Sequence, residues 1–218
     1  MQYEFLEVDV FATGAFNGNA LAVVAGADDL STQHMQSIAN WTNFSETTFL
    51  LEPSAADADY RVRIFTPYEE FDFAGHPTLG SAAAWRALGN HPRVEGTLVQ
   101  ECGVGLVTVR EEDSVFSFAT PPLRREGPLS PAELEEACAG LGLESADIVD
   151  HGWVDNGPGW RLLQVRDADA VRAVKPQAER PKVGVVGLNA HAAEGEPAYE
   201  VRAFTTHFED PVTGSFNG

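Results

Sequence analysis

Three side chains in this 218-residue sequence could do proton chemistry, Glu46, His76 and Asp210, with Ser45, Ser81 and Ser215 beside them as hydrogen-bonding hydroxyls. His76 and Asp210 each head the same short pattern: a polar residue, Pro, two residues, then Gly-Ser. The copies are His76-Pro77-Thr78-Leu79-Gly80-Ser81 and Asp210-Pro211-Val212-Thr213-Gly214-Ser215. A side chain able to cap, followed by Pro at the first helical position, reads as a helix start, and Asp210 is the better cap of the two. Such a start leaves backbone N–H groups unpaired at the positive end of the helix dipole, which suits a carboxylate or phosphate. Facing each other, two of them would make an anion-binding cleft. Taken singly, each is an ordinary capped helix, and Glu46 is one of 33 acids whose usual place is the exposed surface. Their occurrence together favours a site.

Other chemistries find no pattern. The six histidines show no HxxxH or HxH spacing, so no zinc or iron site is expected. Gly75-His76-Pro77-Thr78-Leu79-Gly80 is neither a P-loop nor GxGxxG, which leaves nucleotide binding without support, and no Gly-x-Ser-x-Gly elbow is present. Cys102 and Cys138 are the only cysteines; they form no disulfide framework, which agrees with a reducing compartment.

The elements that must carry these residues are legible from periodicity. Glu4 to Phe11 alternates and, after a Gly/Asn turn at Thr13 to Asn19, Ala20 to Val24 reads as its hairpin partner. Ser31 caps a helix with Met35, Ile38 and Ala39 on one face, ending near Trp41 to Asn43. Strands are expected at Thr48 to Leu51 and Tyr60 to Phe65, then a helix from Pro77 to Leu88 stopped by Gly89, and a meander over Thr97 to Cys102, Gly105 to Arg110 and Ser114 to Phe118. Thr120-Pro121-Pro122 and Gly127-Pro128 read as a linker, and Ser130-Pro131-Ala132-Glu133 as a capping box opening a helix to Leu141. Strands follow at Ile148 to Trp153 and Arg161 to Val165, around the turn Asn156-Gly157-Pro158-Gly159, then a short helix from Asp167 and strands at Val183 to Leu188 and Val201 to Thr205.

Val62-Arg63-Ile64-Phe65-Thr66 and Val201-Arg202-Ala203-Phe204-Thr205 precede the two Pro-containing loops in turn, so the chain reads as a duplicated unit with lobes over 1–120 and 121–218. The first copy runs on through a helix and three strands, whereas the chain closes at Gly218 barely inside the second helix. The second lobe is therefore expected to be truncated by roughly 40 to 70 residues, and a helix begun at Asp210 is too short to persist.

A composition of 44% hydrophobic and 10% aromatic residues is ample for packed cores. Net charge is −19, and only Lys175 and Lys182 are lysines, so a nucleic-acid partner is excluded on electrostatic grounds. The acidic surface fits a high-salt host and a plain composition bias equally well. No window has the apolar length of a membrane span and the N-terminus has no signal-peptide character, so a cytoplasmic protein with no membrane partner is expected.

Four motifs together resemble the phenazine-biosynthesis, PhzF-like, isomerase family, related in fold to diaminopimelate epimerase. They are Val8-Asp9-Val10-Phe11 with Phe16-Asn17-Gly18-Asn19-Ala20-Leu21-Ala22-Val23-Val24, then Asn43-Phe44-Ser45-Glu46-Thr47, then Gly75 to Gly80, then Glu209 to Ser215. Ala20 stands where the family usually has Pro, and Phe216-Asn217 where small residues or His are common. The resemblance implies an α/β (α+β) fold of two similar lobes, each a β-barrel-like sheet around a central helix, with the active site between them and usually a homodimer. It implies no cofactor, Glu46 as general acid/base, and His76, Asp210 and Ser215 as groups that position substrate and assist the proton shift. Ser45, Gly75, Gly80, Ser81 and Gly214 join Ser215 as expected substrate contacts. The cysteine-dependent epimerases related to the family need a Cys by each loop, and neither loop here has one. The expected function is a cofactor-independent isomerase that shifts a proton within a small carboxylate-bearing metabolite; the alternative is a non-catalytic metabolite- or protein-binding member of the family.

Overall fold

Asp9 shows how this chain begins to fold. Strand β1 (Glu4–Val10) and β2 (Asn19–Ala25) pair antiparallel with Val10 opposite Asn19, and the carboxylate of Asp9 accepts the Phe16 N–H at 2.7 Å and the Gly18 N–H at 2.8 Å, closing the loop between them. Gly18 is required there: a Cβ would stand 2.2 Å from the Val10 carbonyl oxygen. The computed structural model describes residues 2–119, 122–156, 159–193 and 195–216. Of the expected segments, Thr120-Pro121 of the linker, Gly157-Pro158 of the turn, and Asn217 lie outside the described residues.

The chain divides into two units, Met1–Ala119 and Thr120–Gly218. In the first, β1 and β2 are followed by α1 (Thr32–Thr42), β3 (Glu46–Leu51), β4 (Tyr60–Phe65), β5 (Glu70–Phe71), α2 (Gly75–Ala87), β6 (Thr97–Cys102), β7 (Gly105–Glu112) and β8 (Val115–Phe118). The sheet runs β1-β2-β3-β4-β6-β7-β8, with β5 added to β4, and is parallel only at β2/β3 and β4/β6. Helix α2 packs on β1, β2 and β3 and also on β6 and β8, strands from both ends of that order. The sheet therefore curls around α2, burying Val10, Leu21, Val23, Leu50, Val62, Ile64, Ala82, Ala84 and Leu98 in one cluster. Helix α1 covers the outer face through Met35 and Ala39 against Val24, Phe49 and Phe65. Ser31 caps α1 by accepting the His34 N–H at 3.2 Å, and Asn43 ends it in the left-handed region at φ 58°.

Helix α2 starts earlier than its sequence suggests. Its N-cap is Ala74, in extended backbone and without a side-chain cap bond, so His76 and Pro77 lie inside the first turn. The expectation that His76 caps and Pro77 opens the helix is corrected. Pro is tolerated anywhere in a turn whose N–H groups have no helical partner, so its position did not fix the start to the residue.

The second unit contains β9 (Arg125–Gly127), α3 (Pro131–Leu141), a 3-10 turn at Ser145–Asp147, β10 (Ile148–Asp155), β11 (Arg161–Val165), α4 (Ala168–Ala173), β12 (Val183–Leu188), β13 (Tyr199–Phe204) and β14 (Glu209–Asp210). Its sheet runs β14-β13-β12-β11-β10-β9, parallel only at β11/β12. Arg125 to Gly127, expected within the linker region, is an edge strand, with the Arg125 guanidinium 3.7 Å from the Trp153 ring centroid. The capping box is complete: Ser130 Oγ accepts the Glu133 N–H and Glu133 Oε2 accepts the Ser130 N–H at 2.9 Å. Those bonds hold the Glu133 carboxyl down at about 2. Helices α3 and α4 close over Leu163, Val165, Val183, Val185 and Phe204. Residues 211–216 form turns and no helix.

Hairpins β4/β5 and β13/β14 carry the same interactions. Arg63 grips Glu70 through Nε and a terminal nitrogen, both at 2.7 Å, and Arg202 grips Glu209 at 2.7 and 2.8 Å. Each guanidinium lies near the ring of the Phe two residues on, Phe65 or Phe204. Each turn is closed by a Thr hydroxyl, Thr66 or Thr205, donating to a carbonyl three residues on. Among the described residues no helix is long and apolar enough to cross a membrane.

Candidate active site

Strand alternation decides where the Glu46 carboxylate goes. It is the first residue of β3, and positions 46, 48 and 50 turn toward α2 while Thr47 and Phe49 turn toward α1. Two contacts then set the register of α2 on β3. Glu46 Oε2 is 3.3 Å from His76 Nδ1, and the Ser81 hydroxyl donates to Thr48 Oγ1 at 3.0 Å. Two strand residues advance about 6.6 Å and five helical residues about 7.5 Å, so both contacts hold at once.

His76 is 5% exposed. The adjacent carboxylate favours an imidazolium, while burial and the positive end of α2 oppose it. Burial prevails and pushes the imidazole down to about 4. At neutral pH His76 is therefore uncharged, and its Nδ1 lies 3.3 Å from the Glu46 carboxylate without forming an ion pair. Its Nε2 is buried and has no hydrogen-bond partner among the described residues.

The exposed Ser45 donates its hydroxyl to Asn19 Oδ1 at 2.9 Å, tying the residue before Glu46 to the start of β2. Gly75 opens α2 where a Cβ would stand 3.2 Å from the Phe118 ring. Ser45, Glu46, Gly75 and His76 are thus brought together at the start of α2. Gly80 and Ser81 are placed deeper: a Cβ at 80 would lie 2.5 Å from Leu21 and 2.7 Å from Val10, and Ser81 is fully buried on Thr48. Asn19 and Asp9 were not singled out from the sequence as site residues. The signal for both was their place in the first motif, where Asp9 holds the loop that delivers Asn19.

In the second unit Asp210 ends β14, opposite Ala203. Its carboxylate accepts the Val212 N–H at 3.2 Å, and burial outweighs this bond and that of Thr213, holding the carboxyl above the usual Asp range. Gly214 and Ser215 follow in the same turn. Trp160 Nε1 donates to Ser215 Oγ at 2.8 Å, and Asn156 Nδ2 donates to the Ser215 carbonyl at 2.8 Å. Trp160 and Asn156 are residues that motif reading missed, because nothing local in the sequence ties them to Ser215. Cys102 closes β6 and Cys138 is buried in α3, so neither lies in these turns. Among the described residues no three His, Cys, Asp or Glu side chains converge as a metal site requires.

Compared with known proteins, residues 8–218 match the family described as phenazine biosynthesis-like protein. An alignment over 233 residues at 35% identity covers 100% of this chain and 78% of antisense-enhancing sequence 1 of Schizosaccharomyces pombe. Another, over 230 residues at 34%, covers 99% of this chain and 77% of trans-2,3-dihydro-3-hydroxyanthranilate isomerase of Pseudomonas aeruginosa. The crystal structure of a Bacillus anthracis phenazine biosynthesis protein of the PhzF family superposes with a TM-score of 0.84 at 25% identity, covering 100% of this chain and 78% of that one. Since the family match spans residues 8–218 and relatives covered over most of their length are named isomerases, the chain belongs to the phenazine biosynthesis-like, or PhzF, family of isomerases.

Proposed function

We propose that the protein catalyses a proton shift within a small conjugated carboxylate, with Glu46 as the single acid/base. The observation that carries this reading is the Glu46 carboxylate held at the start of α2 by an uncharged, buried imidazole. A base that must pick up a proton from carbon and give it back gains from a neutral neighbour, because an imidazolium would hold the carboxylate ionised and weaken it as a base. Glu46 takes a proton from one carbon, the electron pair spreads through the conjugated system, and the same carboxyl returns the proton to another carbon. The double bonds move and no net oxidation occurs. His76 orients the carboxylate, while Asp210 and Ser215 position the substrate. No cofactor takes part.

Trans-2,3-dihydro-3-hydroxyanthranilate, the compound named for the Pseudomonas aeruginosa relative, is the substrate to test first. A cytoplasmic homodimer is part of the same reading, and light scattering measures its mass. So is an internal duplication, supported by the matching Arg63–Glu70 and Arg202–Glu209 hairpins.

The decisive experiment is proton NMR in deuterated water with that compound, on the native protein and on Glu46→Gln. The substrate signals should give way to those of the isomer with the native protein, with deuterium at carbon only to the extent that the carboxyl exchanges its proton in transit, and the conversion should slow by about 10²- to 10⁴-fold in the variant, the usual worth of a general acid/base. Equal turnover by the variant would remove Glu46 from the mechanism. Binding by calorimetry without any conversion of the compound would favour the non-catalytic alternative.

A further inference from the structure

Ser215 is hydrogen-bonded on two sides, and both partners are donors. Trp160, just before β11, is 3% exposed, and its indole Nε1 lies 2.8 Å from Ser215 Oγ. An indole N–H can only donate, so the serine oxygen must accept. Asn156 Nδ2 donates to the carbonyl of the same residue at 2.8 Å, holding its backbone. The support behind this pair is rigid: the Asp155 carboxylate accepts the Gly159 N–H at 2.7 Å, and the Trp160 ring meets Phe216 edge-on at 5.6 Å. Phe216 in turn lies on Gly184, where a Cβ would come within 1.9 Å of its ring.

The hydroxyl has one proton, and no group among the described residues accepts it. Ser215 is half-buried, so that proton is open to a ligand. Ser45 makes the contrast: its proton is already committed to Asn19 Oδ1, leaving it only lone pairs to offer. Resting on the reading that Ser215 binds substrate, we propose that Trp160 is a positioning residue whose indole N–H turns the Ser215 hydroxyl into a one-way donor for an anionic substrate oxygen. Without that N–H, Ser215 could rotate its proton inward and present a lone pair, which a carboxylate or enolate oxygen would repel. With it, rotation gains nothing, and the donated bond also polarises the O–H toward the ligand.

The test is a double-mutant cycle on the complete chain with 3-hydroxyanthranilate, the aromatic and non-isomerisable counterpart of the candidate substrate, titrated by calorimetry. Ser215→Ala should weaken binding by about tenfold. Trp160→Phe should weaken it by about three- to tenfold when Ser215 is present and by less than about twofold in the Ser215→Ala background. A purely structural role for Trp160 predicts the same loss in both backgrounds, and that result, or no loss in either, overturns the proposal while leaving Ser215 in place. Should Phe leave the unit unfolded, benzothienylalanine at position 160, with sulfur replacing the N–H in the same shape, gives the same comparison. Native protein that takes up no 3-hydroxyanthranilate, or Ser215→Ala that binds it undiminished, overturns the reading of Ser215 and the Trp160 role with it.

Discussion

His76 sits at the centre of the proposed chemistry of the first unit, because its charge state bears on that of the adjacent Glu46 carboxylate. Its pKa, about 4 in the fold against 6.5 in the unfolded chain, means that the unfolded state binds a proton first as pH falls. The stability that depends on a neutral His76 is therefore fully present above pH 6.5 and is lost progressively toward pH 4, to the extent of about 3 kcal/mol. Chemical denaturation at pH 7 and pH 4.5 should show a steeper loss for the native protein than for His76→Asn, which has no proton to take up. Equal losses would mean that burial does not lower the His76 pKa, and a shallower loss for the native protein would mean that His76 is charged in the fold and forms an ion pair with Glu46. The sequence placed His76 and Glu46 as partners in one resemblance; that His76 is neutral followed only from its burial. Read as a helix cap, His76 was misplaced, since Pro77 is compatible with any of the first-turn positions.

At the scale of elements, the closeness of α2 to β1 and β2 brings the start of the helix to Glu46. Gly80 is the point of closest approach, its missing Cβ leaving room for Leu21 and Val10. Gly80→Ala should force those side chains or the helix outward and destabilise the first unit by about 1–3 kcal/mol, the usual cost of overpacking a tight core. The same displacement would pull His76 from Glu46, so turnover should fall along with the melting temperature. Unchanged stability would show that the curled sheet yields easily at this point. Strands such as β1 and β4 were legible because alternation is a local signal, and the capping box of Ser130 and Glu133 was legible for the same reason. Strand β9 was hidden: Arg125-Glu126-Gly127 has no alternation to read and becomes a strand only because β10 offers an unpaired edge.

For the whole molecule, a formal net charge of −19 works against the folded state through self-repulsion. The screening length shortens from about 10 Å at 0.1 M salt to about 3 Å at 1 M. Raising NaCl over that range should raise the melting temperature by roughly 2–4 °C for each kcal/mol of repulsion relieved. A falling melting temperature would mean that exposed ion pairs, such as Arg172–Glu200, outweigh the repulsion. The charge, most of the strands and helices and the four family motifs were determined by the sequence alone, because each is written in residues close together along the chain. The tertiary structure decided which polar groups meet and which are buried. Glu46 with His76, Ser81 with Thr48, and Ser215 with Trp160 are pairs far apart in sequence, and the hydrogen bonds and burial that set their roles come into being only when the sheets close around them.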